Sequence, residues 1–189
     1  MSNLLLSTIK LAVKYYETGD MIQSELTLDH ALSAHERFVE EVNSQEHLTL
    51  SQAALLACVC YCALTGQYIQ LGIAASKNQD RLAEFFHYQN AGRCIDKAHD
   101  IFSYCQSPQM DMEQNVFIYL SLFGGVIAAT RDQAKDAERY LKQCVEARAT
   151  HPLAENVQSV AKNCLTSLTD LEANDVSEQV IKKFKEYFR

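Results

Sequence analysis

Proline and glycine are scarce in this sequence, and no segment alternates apolar and polar residues as a strand does. The 189 residues include only two prolines and six glycines, which is few for a sheet protein with many turns. Apolar residues instead recur at intervals of three and four along most of the chain. We therefore expect an all-α protein of about seven to nine helices.

A basic face is also missing. The formal net charge is −7, the pI is about 5.3, and charges of both signs are mixed along the chain. Because phosphate contacts supply most of the affinity for nucleic acids, we do not expect this chain to bind them. The apolar share of 48% is ordinary for a globular protein and argues against disorder.

The N-terminus lacks the features of a secretory signal peptide. Lys10 and Lys14 interrupt its apolar stretch, and no small-residue cleavage site follows. The seven cysteines are an odd number, which fits free thiols in a reducing compartment. These observations predict a cytoplasmic protein.

Two segments, 49–76 and 114–130, contain no charged residue. The first is interrupted by Thr65, Gly66 and Gln67, and the second is at the lower limit of length for a membrane span. Helices that are buried on all sides by other helices have the same composition. We favour that interpretation and expect no membrane span.

Capping and breaking residues set the expected helix boundaries. The first helix is predicted from Asn3 to Glu17, and the second begins after Asp20, whose carboxylate can accept bonds from N–H groups of the first turn. The segment 49–52 has the spacing of a capping box and predicts a third start. Later helices are expected over 78–106, 133–149 and 153–171, and a final capping helix within 170–189 begins near Asp175 and carries an apolar stripe of Val180, Ile181, Phe184, Tyr187 and Phe188.

Residues 11–32 carry a helix–turn–helix pattern. Leu11 and Ala12 place a large residue before a small one, Tyr15 follows, and Gly19 stands at the turn; the second helix then carries Ser24, Leu28 and Ala31. This pattern resembles the tetratricopeptide repeat, a unit of 34 residues. A second good match runs from Phe117 to about His151, with Gly124, Gly125 and Ala128 on its first helix, Asp132 at its turn, and Ala137, Leu141 and Cys144 on its second helix.

Two further units match the family less well. One would place its turn at 65–68, and the other would turn between Phe85 and Ala98. Phe86 stands where the family has a small residue, and the spacing between units is not constant. The resemblance implies antiparallel helix hairpins stacked as a right-handed superhelix in a single domain, 1–189. The departures leave an irregular helical bundle as the alternative.

In tetratricopeptide-like arrays the first helix of each pair lines a concave groove, and the corresponding residues here are largely apolar. An apolar groove of this kind needs a cover: the amphipathic helix of a partner, a second copy of the chain in a homodimer, or the chain's own last helix. The resemblance therefore implies a non-enzymatic adaptor, scaffold or regulatory binding protein without a cofactor. The residues assigned to the binding surface are Ile9, Val13, Tyr16, Leu56, Tyr119, Leu122, Val126, Phe184 and Phe188.

Two chemical alternatives remain. Cys58 and Cys62 share a helix face and could begin a soft-metal site, although small thiols buried in a tight core are the favoured interpretation. A small-ligand pocket among the helices is the other alternative. Glu84 and His87 have the spacing of a di-iron motif, but such a site needs that motif on two helices. No nucleophile turn or phosphate loop is present, and the glycine pair 124–125 indicates close helix packing.

Overall fold

The computed structural model describes residues 2–36, 46–103 and 111–169. Within these ranges the chain forms seven α-helices and no strand, which confirms the prediction of an all-helical protein. The helix predicted within 170–189, with Phe184 and Phe188, lies outside the described residues. The helices are α1 (Ser2–Glu17), α2 (Met21–Glu36), α3 (Glu46–Lys77), α4 (Arg81–Ser103), α5 (Asp111–Thr130), α6 (Ala134–Glu146) and α7 (Pro152–Thr169).

The described residues divide into two compact units. Unit 1 contains α1, α2, α3 up to Leu64, and α4 from Lys97. Unit 2 contains the rest of α3 from Thr65, α4 up to Asp96, and helices α5 to α7. Both boundaries fall inside helices, so the units share α3 and α4. The expectation of one domain over 1–189 stays a prediction.

Three of the helix connections are the same tight turn. In each, one residue has a left-handed backbone: Gly19 (φ +83°), Gln79 (φ +59°) and Asp132 (φ +57°). The next residue donates its N–H to a carbonyl five positions earlier, as Asp20 does to Tyr15 at 2.9 Å. This bond is the mark of a Schellman helix end. The predicted turns at Gly19 and Asp132 are confirmed.

Aspartate caps the helix that follows in two of these turns. Asp20 Oδ1 accepts the Gln23 N–H at 3.1 Å, and Asp80 Oδ1 accepts the Ala83 N–H at 3.0 Å. At the α5–α6 turn Gln133 stands in this place and makes no side-chain cap bond. The predicted cap at Asp20 is therefore confirmed, and Asp80 repeats it.

Replacing Gln79 by glycine is expected to stabilise the protein by about 0.5 kcal/mol. A left-handed backbone costs a non-glycine residue about 1–2 kcal/mol, and the greater freedom of glycine in the unfolded chain offsets part of the gain. Urea unfolding followed by circular dichroism measures the change. Gln79→Ala is the control, because alanine retains the backbone cost. A glycine variant less stable than the alanine variant would contradict this account.

Three of the predicted helix boundaries are wrong. Helix α3 runs unbroken from Glu46 to Lys77, so the segment 49–52 lies inside it and no turn occurs at 65–68. Helix α4 is equally continuous between Phe85 and Ala98. The two weaker repeat units therefore do not exist as predicted, and the turn joining these helices lies at 78–80.

Burial explains why α3 continues through Gly66. Glycine in a helix costs about 1 kcal/mol relative to alanine. Its neighbours Leu64, Thr65 and Ile69 are all fully buried, and burying one large aliphatic side chain contributes about 1.5–3 kcal/mol. Packing therefore outweighs the local preference for a turn.

Helix α5 is buried along most of its length, with every residue from Leu120 to Ala129 in the interior. At Gly125 a Cβ atom would lie 2.7 Å from Leu141 Cγ and 3.4 Å from the Ala137 carbonyl oxygen. The predicted close packing at this glycine is confirmed. Absence of a side chain lets α5 and α6 approach each other closely.

One helix segment, Ala53–Lys77 of α3, is long and apolar enough to cross a membrane. In the most apolar stretch of 18 residues within this segment, 56% of the residues are buried in the structure, as expected of a core helix. A membrane-spanning helix and a buried core helix can have the same length and composition. The absence of a membrane span therefore stays a prediction.

Candidate functional site

Three large apolar side chains are exposed together at the start of α4. Leu82 is 79% exposed, Phe85 62% and Phe86 59%. Residues three and four apart lie on one face of a helix, so the three form a continuous surface, here called the α4 stripe. Scattered exposed apolar residues are ordinary in proteins, but a contiguous group of this size is typical of an interaction site.

The sequence places the α4 stripe on the outer face of its helix. At about 100° per residue, the stripe is in register with Gln89, Arg93 and Asp96, which are exposed. The opposite face carries the large and small apolar side chains that α4 buries. They are Ala91, Cys94, Ile95 and Ala98. In the first two turns of α4, leucine and phenylalanine therefore occupy the face that is polar farther along the helix.

Aromatic residues of unit 2 lie directly beside the α4 stripe. The ring of Phe86 meets the ring of His87 edge-on at 5.7 Å between centroids, and His87 lies 6.3 Å from buried Tyr68 of α3. Tyr88 packs against Gly72 of α3, where a Cβ atom would lie 3.0 Å from its ring. Burial, assisted by the charge of Glu84, raises the pKa of the Tyr88 phenol. The start of α4 is therefore held on α3 by packed rings while the stripe faces outward.

The α4 stripe offers area and shape, and its side chains contain no reactive group. Covering one large apolar side chain contributes about 1.5–3 kcal/mol, so covering all three contributes several kcal/mol. Amphipathic helices present apolar anchors at matching intervals of three and four. A surface of this kind suits a helical ligand.

The sequence-based binding residues lie elsewhere. Ile9, Leu122 and Val126 are completely buried and belong to the interior. Half-buried positions are occupied by Val13, Tyr16, Leu56 and Tyr119. The groove assignment is therefore corrected for the three buried residues, because side chains without exposed area cannot contact a partner while the fold is intact.

A polar cluster in unit 1 brings one lysine together with two carboxylates and a tyrosine hydroxyl. Lys97 Nζ lies 2.7 and 2.6 Å from the two carboxylate oxygens of Asp29 and 3.9 Å from Glu25 Oε1. The buried Tyr61 donates its hydroxyl to Asp29 Oδ1. Carboxylate, ammonium and phenol thus satisfy one another. The cluster joins α2, α3 and α4, and a structural role accounts for it.

The cysteines do not form a metal site in the described part of the chain. Six cysteines are buried there as thiols, and among the described residues no group of three His, Cys, Asp or Glu side chains is placed to hold an ion. Burial raises the pKa of Cys62 to about 12, and the neighbouring Cys60 adds to the rise. A thiol with this pKa is protonated at neutral pH, as is usual for a cysteine packed in an apolar core.

We expect the six buried thiols to react slowly with a thiol reagent in the native protein. Burial, assisted by Cys164, also raises the pKa of Cys144 to about 12, which leaves about one thiolate in ten thousand at pH 8. Reaction with Ellman's reagent should therefore be slow in buffer and complete for all seven cysteines in denaturant. Cys105 lies outside the described residues, so rapid reaction of two or more native thiols would be the contrary result.

The α4 stripe was missed because its residues fit a core pattern. Leu82 and Phe85 have the spacing of packing residues, and the misfit of Phe86 to the repeat pattern was the available signal. A second signal is the register with Gln89 and Arg93, which places the stripe on the polar side of α4. Comparison of this face with the opposite one would have identified the stripe.

The comparisons with known proteins add no family assignment. No family model matches the chain, and no curated protein and no solved structure matches it either.

Proposed function

We propose that this chain is a non-enzymatic protein-interaction module that binds an amphipathic helix of its partner through the α4 stripe. The observation that carries the proposal is the exposure of Leu82, Phe85 and Phe86 on one helix face. Maintaining three large apolar side chains in water is unfavourable by several kcal/mol. Binding of a ligand that covers this surface is therefore favourable in free energy.

The rigidity of the surrounding helices supports a preformed binding surface. Tyr88 packs against Gly72, and the His87 ring lies 6.3 Å from the Tyr68 ring between centroids, tilted by 30°. Asp80 caps the first turn of α4, on which Leu82 lies. Because these contacts fix the backbone beneath the stripe, little conformational entropy is lost when a ligand binds.

We also propose that the hairpins of this chain are related to tetratricopeptide units. The support is local: α1–α2 and α5–α6 have the lengths and the glycine or left-handed turn that the resemblance requires, and their turns have the same hydrogen bonds. The long helices α3 and α4 depart from it. A stacked superhelix stays part of this proposal, and an experimental structure tests it.

A cytoplasmic location is part of the same proposal. Its support is that six cysteines of the described helices are buried as reduced thiols, since reduced cysteines persist in compartments that reduce disulfides.

Affinity purification from native lysate tests the proposed function. The bait is the full chain, compared with the triple variant Leu82→Ser, Phe85→Ser and Phe86→Ser. We expect a stoichiometric partner to be retained by the native chain and lost by the variant, because three apolar anchors worth about tenfold or more each in affinity are removed.

Leu153→Ser is the matched control. Leu153 is also in unit 2 and is 59% exposed, so this change removes an apolar side chain at a separate surface position. The control should retain the partner, and all three proteins should unfold cooperatively from the same helical content. Equal recovery of the partner by the native chain and the triple variant would refute the proposal, as would the absence of any stoichiometric partner.

A further inference from the structure

We infer that the chain's own C-terminal segment, residues 175–189, occupies the α4 stripe in the free protein and must leave it before a partner binds. This inference rests on the proposed function and deepens it, because it names an internal ligand for the same surface. The segment lies outside the described residues, and its sequence and the exposed stripe provide the argument.

The segment has the chemistry that the α4 stripe calls for. Val180, Ile181, Phe184, Tyr187 and Phe188 recur at intervals of three and four, which places them on one face of a helix. Asp175 and Glu178 have the spacing of a capping box at the start of that helix. An amphipathic helix with aromatic anchors can therefore pair with a stripe of leucine and phenylalanine.

Charge favours the same pairing. The last ten residues contain four cations, at 182, 183, 185 and 189, and one carboxylate, giving +3 against −7 for the whole chain. The charged residues next to the stripe are Asp80, just before α4, and Arg81 and Glu84 in its first turn, so the attraction comes mainly from the acidic charge of the rest of the chain. A basic helix is thus attracted to an acidic body, and the attraction also steers its docking.

The connection to the site is short enough to favour an internal ligand. Helix α7 ends at Thr169 within unit 2, the unit that holds the α4 stripe. Residues 170–174 span at most about 17 Å when extended, and a helix of 15 residues adds about 22 Å. A unit of this size has a radius of gyration near 13 Å, so the segment can reach across its surface. Tethering of this kind gives an effective concentration on the order of millimolar.

A tryptophan placed in the segment reports whether it is docked. The chain contains no tryptophan, so Phe188→Trp in the full chain gives a single fluorescent reporter. We expect its emission to lie at short wavelength and to be protected from acrylamide. Adding Leu82→Ser, Phe85→Ser and Phe86→Ser should lower the docking equilibrium constant by about a thousandfold or more, since each anchor contributes about tenfold or more. The emission should then shift to that of an exposed tryptophan.

Leu153→Ser combined with Phe188→Trp is the control, and its tryptophan should stay protected. Each outcome is decisive. A tryptophan exposed in the otherwise native chain, or one that remains protected when the α4 stripe is altered, overturns the inference. Protection that is lost on dilution also overturns it, because it assigns the contact to a second copy of the chain.

The fluorescence readout uses no external partner, so it separates this inference from the proposed function. If the stripe variant loses the partner while the tryptophan is exposed in the otherwise native chain, the proposed function is retained and the internal ligand is refuted. If the tryptophan is docked but no partner is captured, the internal ligand is retained and the proposed function is refuted.

Discussion

Replacing Val126 by glutamate is expected to abolish cooperative folding of unit 2. Val126 lies on α5 and has no exposed surface, so the carboxylate would be placed in an interior without water. The effective cost of burying an unpaired charge is several kcal/mol, and a typical domain is stable by only about 5–15 kcal/mol. Far-UV circular dichroism in a urea series measures the loss.

Leu82→Glu is the matched change at an exposed apolar position. It should leave cooperative folding intact and change the free energy of unfolding by far less than Val126→Glu, because Leu82 is not part of the core of unit 2. The pair of variants also decides between two binding surfaces. If Val126 lined an open groove, its glutamate variant would remain folded with unchanged stability. That result would favour the groove over the α4 stripe as the binding surface.

The second large effect is expected from Gly125→Ala, which should destabilise the protein by about 1–2 kcal/mol. The new methyl group would lie 2.7 Å from Leu141 Cγ and 2.9 Å from its Cδ2, and Leu141 is itself fully buried. Overpacking of a core destabilises a protein by about 1–3 kcal/mol. The better helix propensity of alanine offsets up to about 1 kcal/mol of this destabilisation. The midpoint of urea unfolding measures the difference.

Gly66→Ala provides a control of opposite sign. Its methyl group would lie 3.4 Å from Phe123 Cζ, an ordinary contact distance, so the propensity gain of up to about 1 kcal/mol should remain. Combining Gly125→Ala with Leu141→Ala should show favourable coupling, because the smaller side chain removes the clash. Additive effects of the two changes would show that α5 and α6 are not in tight contact at this point.

The sequence alone determined the helical class and two of the turns. Apolar spacing of three and four requires helices, and Gly19 and Asp132 both stand where the structure has a left-handed residue. The cap at Asp20 was equally readable, because a short carboxylate at that position satisfies N–H groups within the same turn. These features depend on residues close together in sequence, and local chemistry fixes them.

Tertiary structure decided where the long helices end and which face is buried. The local sequence around Gly66 predicts a turn, but the packing of its buried neighbours keeps α3 helical as far as Lys77. Val126 and Leu82 are both large apolar residues on helices, yet one is enclosed and the other is exposed. Spacing shows that residues share a face, whereas burial depends on which helices pack against that face. That choice is made by contacts between residues distant in the chain.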